Sequence, residues 1–287
     1  MSGALTRRVL PLLAAVVAVL ALGLGSAWAA GTPTRIVSLS PTATDTLFAV
    51  GAGKQVVAVD SLSTYPKAAP VTDLSAFTPN AEAIAKYKPD LVVISDDMNH
   101  IVDALGKLKI PVLVSGVPKD VEGAYAGIQK IGDATGHGPQ AAALVKKMKA
   151  QIAALVKATP RPATPLSFYH ELDQTYYSIT SNTFIGQLYG LLGLQNIADK
   201  AKASSDYPQL SAEYIVASNP KLIVLADTVC CSQTKAKVQA RPGWSNIDAV
   251  KTGSVVLIDD NIASQWGPRI VNFLRALSAA ARRHESK

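Results

Sequence analysis

Residues 80–95 read NAEAIAKYKPDLVVIS, and residues 211–226 read SAEYIVASNPKLIVLA, a constant 131 positions later. Without a gap, Ala81/Ala212, Glu82/Glu213, Ile84/Ile215, Pro89/Pro220, Leu91/Leu222 and Val93/Val224 are identical. Each copy predicts a helix followed by a strand. A polar cap precedes Ala-Glu and an apolar spacing suited to a helix, Pro stops the helix, and an apolar run of strand length follows. Written once per half, this pattern predicts two similar α/β lobes. It also sets Glu82 and Glu213 near matching helix N-termini. Either carboxylate alone is accounted for by the helix dipole, which it complements for about 0.3–1 kcal/mol. The matched pair points further, to a docking surface with one acidic contact on each lobe.

Outward from the repeat, strand and helix alternate. Arg35–Leu39 reads as a buried strand, and Ser40-Pro41-Thr42 opens a helix to about Val50, with Pro41 suited to the first helical position. A strand at Val56–Asp60 leads into the loop Ser61–Pro70, which presents Tyr65. After the first copy come the turn Asp96–His100, a helix to Lys109, the strand Val112–Ser115 and a helix from Val121 to about Thr135. In the second half, Leu166–Leu172 and Val255–Asp259 read as strands, Thr183–Leu192 as a helix, and Gly267-Pro268-Arg269 as the start of a last helix. Between the halves, Val145, Met148, Ile152 and Leu155 recur at spacings of three and four, so residues 139–160 predict one unbroken linker helix of about 30 Å. The expected fold is α/β, with two similar lobes of mainly parallel sheet flanked by helices: residues 31–138, the linker 139–160, and residues 161–287. A ligand cleft is expected between the lobes.

The 287 residues are 48% hydrophobic and 17% charged, the profile of a packed globular chain. Residues 1–30 read as a cleavable signal peptide: Arg7 and Arg8, an uncharged apolar run from Val9 to Leu24, and Ala27-Trp28-Ala29. The rival is a retained membrane anchor, which Pro11 and the Ala-Trp-Ala site disfavour. With no cysteine at the expected cleavage site, no lipid anchor is expected there. Without the leader the net charge drops from +7 to +5, and the Lys and Arg are scattered, so no nucleic-acid partner is expected. No nucleophile elbow, Walker loop or Gly-x-Gly-x-x-Gly is present, which leaves an enzyme unsupported. His100, His137, His170 and His284 are far apart in sequence, so no bare metal site is expected either.

Loops at the lobe edges supply the candidate ligand residues. They are Ser40, Tyr65, Met98, Asn99 and His100 from the first half, and Tyr169, His170, Tyr176, Tyr177, Arg241, Trp244 and Trp266 from the second. An aromatic set of this kind suits a large, flat, partly apolar ligand, although tyrosines and tryptophans are as often core residues. Cys230-Cys231 is expected either to close a vicinal disulfide that stiffens its loop or to remain as two buried thiols.

The opening RIVSLSPTATDTLFAVG, the Tyr65-Pro66 loop, the two copies of Ala-Glu-x-Ile…Pro-x-Leu, the linker helix and the closing Gly-Pro-Arg-Ile, in this order, resemble the substrate-binding proteins of ABC importers. The resemblance is to the helical-backbone class that serves cobalamin, ferric siderophores and haem. It implies a periplasmic or otherwise extracytoplasmic monomer with no resident cofactor, although the cargo itself contains cobalt or iron. Its partners would be a small-molecule metal chelate and a permease dimer with its ATPase, with Glu82 and Glu213 meeting permease arginines. The Tyr-Pro loop and Gly-Pro-Arg ending are most similar to the cobalamin-binding members, so a corrinoid is expected first. Siderophore binders set arginines against anionic chelates, and Arg241 is the one such candidate. Haem needs an axial Tyr or His, for which Tyr65, Tyr169, His100 and His170 are available.

Overall fold

Short capped elements alternate along the chain. In the computed structural model, which describes residues 31–201 and 204–285, the first half runs β1 (Ile36–Leu39), α1 (Pro41–Val50), β2 (Val56–Val59), α2 (Ala81–Ala85), β3 (Leu91–Ile94), α3 (Ile101–Lys107), β4 (Val112–Val114) and α4 (Val121–Ala134). One helix, α5 (Gly138–Ala158), connects it to β5 (Ser167–Glu171), α6 (Phe184–Leu191), β6 (Gln195–Asn196), α7 (Ala212–Ser218) and β7 (Leu222–Leu225). The chain ends with α8 (Lys235–Gln239), α9 (Asp248–Lys251), β8 (Val255–Leu257), α10 (Asp260–Ala263) and α11 (Ile270–Glu285). The leader read from residues 1–30 lies outside the described residues.

The caps explain where these helices begin. Asn80 and Ser211, the first residues of the two repeat copies, accept from the N–H groups of Ala83 (2.9 Å) and Tyr214 (3.1 Å). Ser40, Asp120 and Thr183 do the same for α1, α4 and α6. Helix α1 has Pro41 in its first turn and stops at Gly51, whose φ of 99° only glycine adopts freely. Gly186 is required for a different reason: a Cβ there would lie 2.1 Å from the carbonyl oxygen of Thr180.

The strands form two four-stranded sheets, ordered β2-β1-β3-β4 and β6-β5-β7-β8. Every pairing is parallel, with Ile36 beside Leu91 in one sheet and Phe168 beside Leu222 in the other. β3 and β7, the strands of the repeat, take equivalent places and are buried on both faces, as continuous apolar runs require. The two halves share more than a fold. One apolar cluster joins Ile36, Leu47, Ile128 and Met148 to Phe168, Tyr189, Phe273 and Leu277, and residues 32–287 form one compact unit. A smaller cluster under each sheet belongs to that half alone.

Helix α5 is unbroken over 21 residues, as its periodicity predicts, but it is not a free-standing rod. It packs on α4 of the first half and on α11 of the second, with Ala141, Met148 and Ile152 buried. At its end, the Thr159 hydroxyl donates to the Ser278 hydroxyl of α11 at 2.7 Å. Among the described residues no helix is long and apolar enough to cross a membrane.

Candidate functional site

Because all strands in each sheet run parallel, each sheet has one carboxyl edge, and crevices outside such edges are where α/β folds hold ligands. Contacts between the halves bring the two edges together. Trp266, which follows α10 beside the second edge, lines a cavity with Leu62, Phe77 and Met98 and a neighbouring one with Ser115–Pro118, all loops at the first edge. Gln187 of α6 donates to the carbonyl of Lys119 at 2.7 Å. Arg269 reaches back to Asp45 of α1 (2.9 Å), and its guanidinium lies 4.1 Å from the centre of the Tyr65 ring, next to the cis Tyr65–Pro66 peptide. Gly267 lets this segment press onto α1, since a Cβ there would lie 3.3 Å from Thr42.

Large apolar side chains stay exposed along both rims. On the first are Leu62, Tyr65, Phe77, Met98 and Val117, with Phe77 64% and Tyr65 47% exposed; on the second are Tyr177, Tyr207 and Val229. Sequence reading found Tyr65, Met98 and Tyr177 and missed the others. Phe77, isolated in the polar run Ser75–Asn80, was the clearest signal available for them. Asn99 and His100 also remain exposed at the first rim, both with left-handed backbone, and the Asn99 amide donates to the carbonyl of Phe77 at 3.2 Å.

Several expected contact residues are structural instead. Ser40 is buried, caps α1 and receives the Ser95 hydroxyl at 2.7 Å. Tyr169, His170 and Trp244 are fully buried, because the inward positions of β5 and the turn at Trp244 fill the core that a two-face-buried sheet needs. Burial pushes His170 down to about 3, and Nδ1 pairs with the Tyr189 hydroxyl at 2.7 Å, so the ring is a neutral core group. Tyr176 is half-buried and stacks on Trp244, with centroids 5.7 Å apart.

Arg241 is committed to the fold as well. Its guanidinium makes two 2.6 Å bonds to the buried carboxylate of Glu171 and a third to Gln233 at 3.0 Å. It also lies 4.5 Å from the Trp244 ring centre and 5.3 Å from that of Tyr176. Asp227, two residues past the end of β7, is buried beside this pair, in hydrogen-bonding reach of the Glu171 carboxylate. Burial, reinforced by the Glu171 carboxylate, pushes Asp227 up to about 7.

Cys230 and Cys231 carry free thiols, neither the vicinal disulfide nor the fully buried pair that were the two expectations. Adjacent Cα atoms, about 3.8 Å apart, are too close for unstrained closure. The loop is fixed another way: the N–H groups of Val229 (3.0 Å) and Cys230 (2.7 Å) donate to the Asp260 carboxylate. Burial, with Cys231 and Asp260 adjacent, pushes the Cys230 thiol up and keeps it protonated.

Glu82 and Glu213 are exposed in the first turns of α2 and α7. Each helix leads into the amino end of its strand, so both glutamates lie on the carboxyl-edge side, and neither has an ion-pair partner among the described residues. The described residues hold no cluster of three His, Cys, Asp or Glu suited to a metal ion.

Two matched parallel sheets, a shared helical core and an apolar rim on each carboxyl edge define a two-lobed α/β binding protein. The chain belongs to the periplasmic binding protein family, whose model matches residues 36–262. A "Cobalamin-binding protein" of Halobacterium salinarum is 33% identical over 86% of this chain and 69% of its own length. A Bacillus subtilis relative, "Uncharacterized ABC transporter substrate-binding lipoprotein YvrC", is 32% identical over 86% of this chain and 79% of its own. Among solved structures, the apo periplasmic haem-binding protein RhuT of Roseiflexus sp. RS-1 superposes with a TM-score of 0.78 at 23% identity, covering 87% of this chain and 98% of that one. That likeness extends to the fold.

Proposed function

We propose that this protein captures a corrinoid between its two carboxyl edges and delivers it to an ABC permease. The observation that carries the reading is the concentration of exposed Leu62, Tyr65, Phe77, Met98 and Val117 on one rim and Tyr177, Tyr207 and Val229 on the other. Exposed apolar side chains are ordinary when scattered; gathered on opposed loops, they suit a broad, flat, largely apolar molecule. Arg241 and Arg269 are already paired with Glu171 and Asp45, which leaves Lys130 as the one cationic residue lining the two cavities at Trp266, few for an anionic ferric chelate. The haem alternative is favoured by the exposed Tyr65 and His100; the core positions of Tyr169 and His170 count against them as axial ligands. The name of the Halobacterium relative supports the corrinoid.

Delivery rests on Glu82 and Glu213, one exposed carboxylate per half at equivalent helix starts, placed to meet cationic side chains on a two-fold permease. The basic and apolar character of residues 1–30 supports export by a signal peptide, and the family supports an extracytoplasmic location. Parallel titrations of the purified protein with cyanocobalamin, haemin and ferrichrome, followed by tryptophan fluorescence and calorimetry, test the reading. Saturation by cyanocobalamin at one per chain is expected. Saturation by haemin or ferrichrome with no response to cyanocobalamin would contradict it.

A further inference from the structure

Positive charges that are scattered in the sequence are gathered by the fold on one face. Helices α5 and α11 pack side by side and are joined by the Thr159–Ser278 hydrogen bond. Lys146, Lys147 and Lys157 stand exposed on α5, and Arg275 and Arg282 on α11. No Asp or Glu occurs in α5, and the one in α11, Glu285, is its last residue. These cations equal the net charge of residues 31–287, the chain's +7 less Arg7 and Arg8, so the charges elsewhere balance. We infer that this two-helix face is a docking surface for an anionic phospholipid bilayer, separate from the apolar rims and from Glu82 and Glu213. The inference goes beyond the corrinoid reading and does not rest on it.

Helical spacing sets these charges on one side. Lys146 and Lys157 are about three turns apart and share a line along α5, opposite the buried Met148 and Ile152. Arg275 and Arg282, about two turns apart, do the same on α11. At the seam, the Ser278 hydroxyl receives both Thr159, just past Lys157, and the Arg282 guanidinium at 2.8 Å. Arg275 donates to the Asn272 amide oxygen at 2.6 Å. None of these cations has a carboxylate partner among the described residues, whereas Lys149, at the border of the face, is paired with Glu122.

The shape of the face selects the partner. Its lysines rise between the exposed Ala150, Ala153 and Ala154, and neither helix exposes a Phe, Tyr or Trp. A nucleic-acid surface would interleave aromatic rings with its cations. Long, mobile, hydrated ammonium groups over a shallow alanine surface match phosphate headgroups that are themselves mobile and spread over a plane. Helices of 21 and 16 residues extend about 30 and 24 Å, enough to meet several headgroups at once. Each cation held near an anionic bilayer strengthens binding about fivefold, so the face as a whole supplies on the order of a thousandfold. The same bilayer repels Glu82 and Glu213, so lipid and permease would be met by different faces.

The test is co-sedimentation of residues 31–287, which contain the whole compact unit without the apolar leader, with vesicles of phosphatidylcholine alone or with about 30% phosphatidylglycerol. Binding to the anionic vesicles at about 50 mM salt is expected, with none to the neutral ones, and its loss by about 500 mM salt as screening shortens the reach of the charges. The triple change Lys146→Gln, Lys147→Gln and Lys157→Gln is expected to weaken it on the order of a hundredfold. Removing equal charge elsewhere, with Lys54→Gln, Lys86→Gln and Lys107→Gln, all exposed in the first half, is expected to leave it within about threefold. All six positions are exposed, and melting confirms that both variants fold. No binding to anionic vesicles, equal binding to neutral ones, or equal losses in the two triple variants would overturn the inference. No corrinoid enters the experiment, so its failure leaves the proposed function standing.

Discussion

Arg241 reports on stability before it reports on ligand, because its guanidinium is the counterion of the fully buried Glu171. Truncating one partner of a buried pair leaves the other charge uncompensated, so Arg241→Ala is expected to cost about 3–5 kcal/mol, read as a lower denaturation midpoint. Tyr65→Ala should do the reverse: the ring is half exposed at the rim, so the melting temperature is expected to hold while cyanocobalamin affinity falls about tenfold. Asp227 gives the same cluster a pH signature. Its carboxyl is pushed up to about 7 in the fold, against about 3.9 in the unfolded chain. The folded state therefore holds this proton more tightly, so its contribution is complete below about pH 4 and is lost as pH rises through 7. The buried neutral His170 contributes with the opposite sign over the same range, so the signature is read as a difference: on going from pH 5 to pH 8 the unmodified protein is expected to lose roughly 4–8 °C, on the order of 2 kcal/mol, relative to Asp227→Asn. None of these pairings was legible in the sequence, since Glu171 and Arg241 are 70 positions apart and no periodicity links them.

At the scale of elements, α5 is where the two halves are bolted together. Met148 is buried within the core that both halves share, and Met148→Ala is expected to cost about 2–5 kcal/mol in a single unfolding transition. Two separate transitions would mean that the halves fold independently. This helix and the repeat were the most legible parts of the chain. The apolar periodicity from Val145 to Leu155, between Pro139 and Pro160, has one reading, and a cap, helix, Pro and strand written twice fix α2–β3 and α7–β7 against each other. What α5 touches was not legible, because helical spacing gives the apolar face and not its partners. The same limit explains the site residues. An aromatic at a strand end, such as Tyr169, and one in a turn, such as Trp244, look alike in sequence to rim residues such as Tyr65, and only the packing of β5 sends them inward.

For the whole molecule, a core continuous across both sheets resists large hinge motion, so the proposed docking would read the protein's outer shape rather than a wide closure. In that proposal Glu82 and Glu213 are the contacts. Glu82→Ala combined with Glu213→Ala is expected to leave cyanocobalamin affinity within about twofold and to abolish uptake of labelled cobalamin by cells that depend on this protein; surviving uptake would remove the docking role. The claim on which the account rests is that one ligand is gripped by both carboxyl edges at once. Hydrogen–deuterium exchange with and without saturating cyanocobalamin measures this directly. The account expects slowed exchange in the loops around Leu62, Phe77 and Met98 and, in the same complex, in those around Tyr177 and Val229. Slowing confined to one half, or to loops at the opposite ends of the strands, would contradict it.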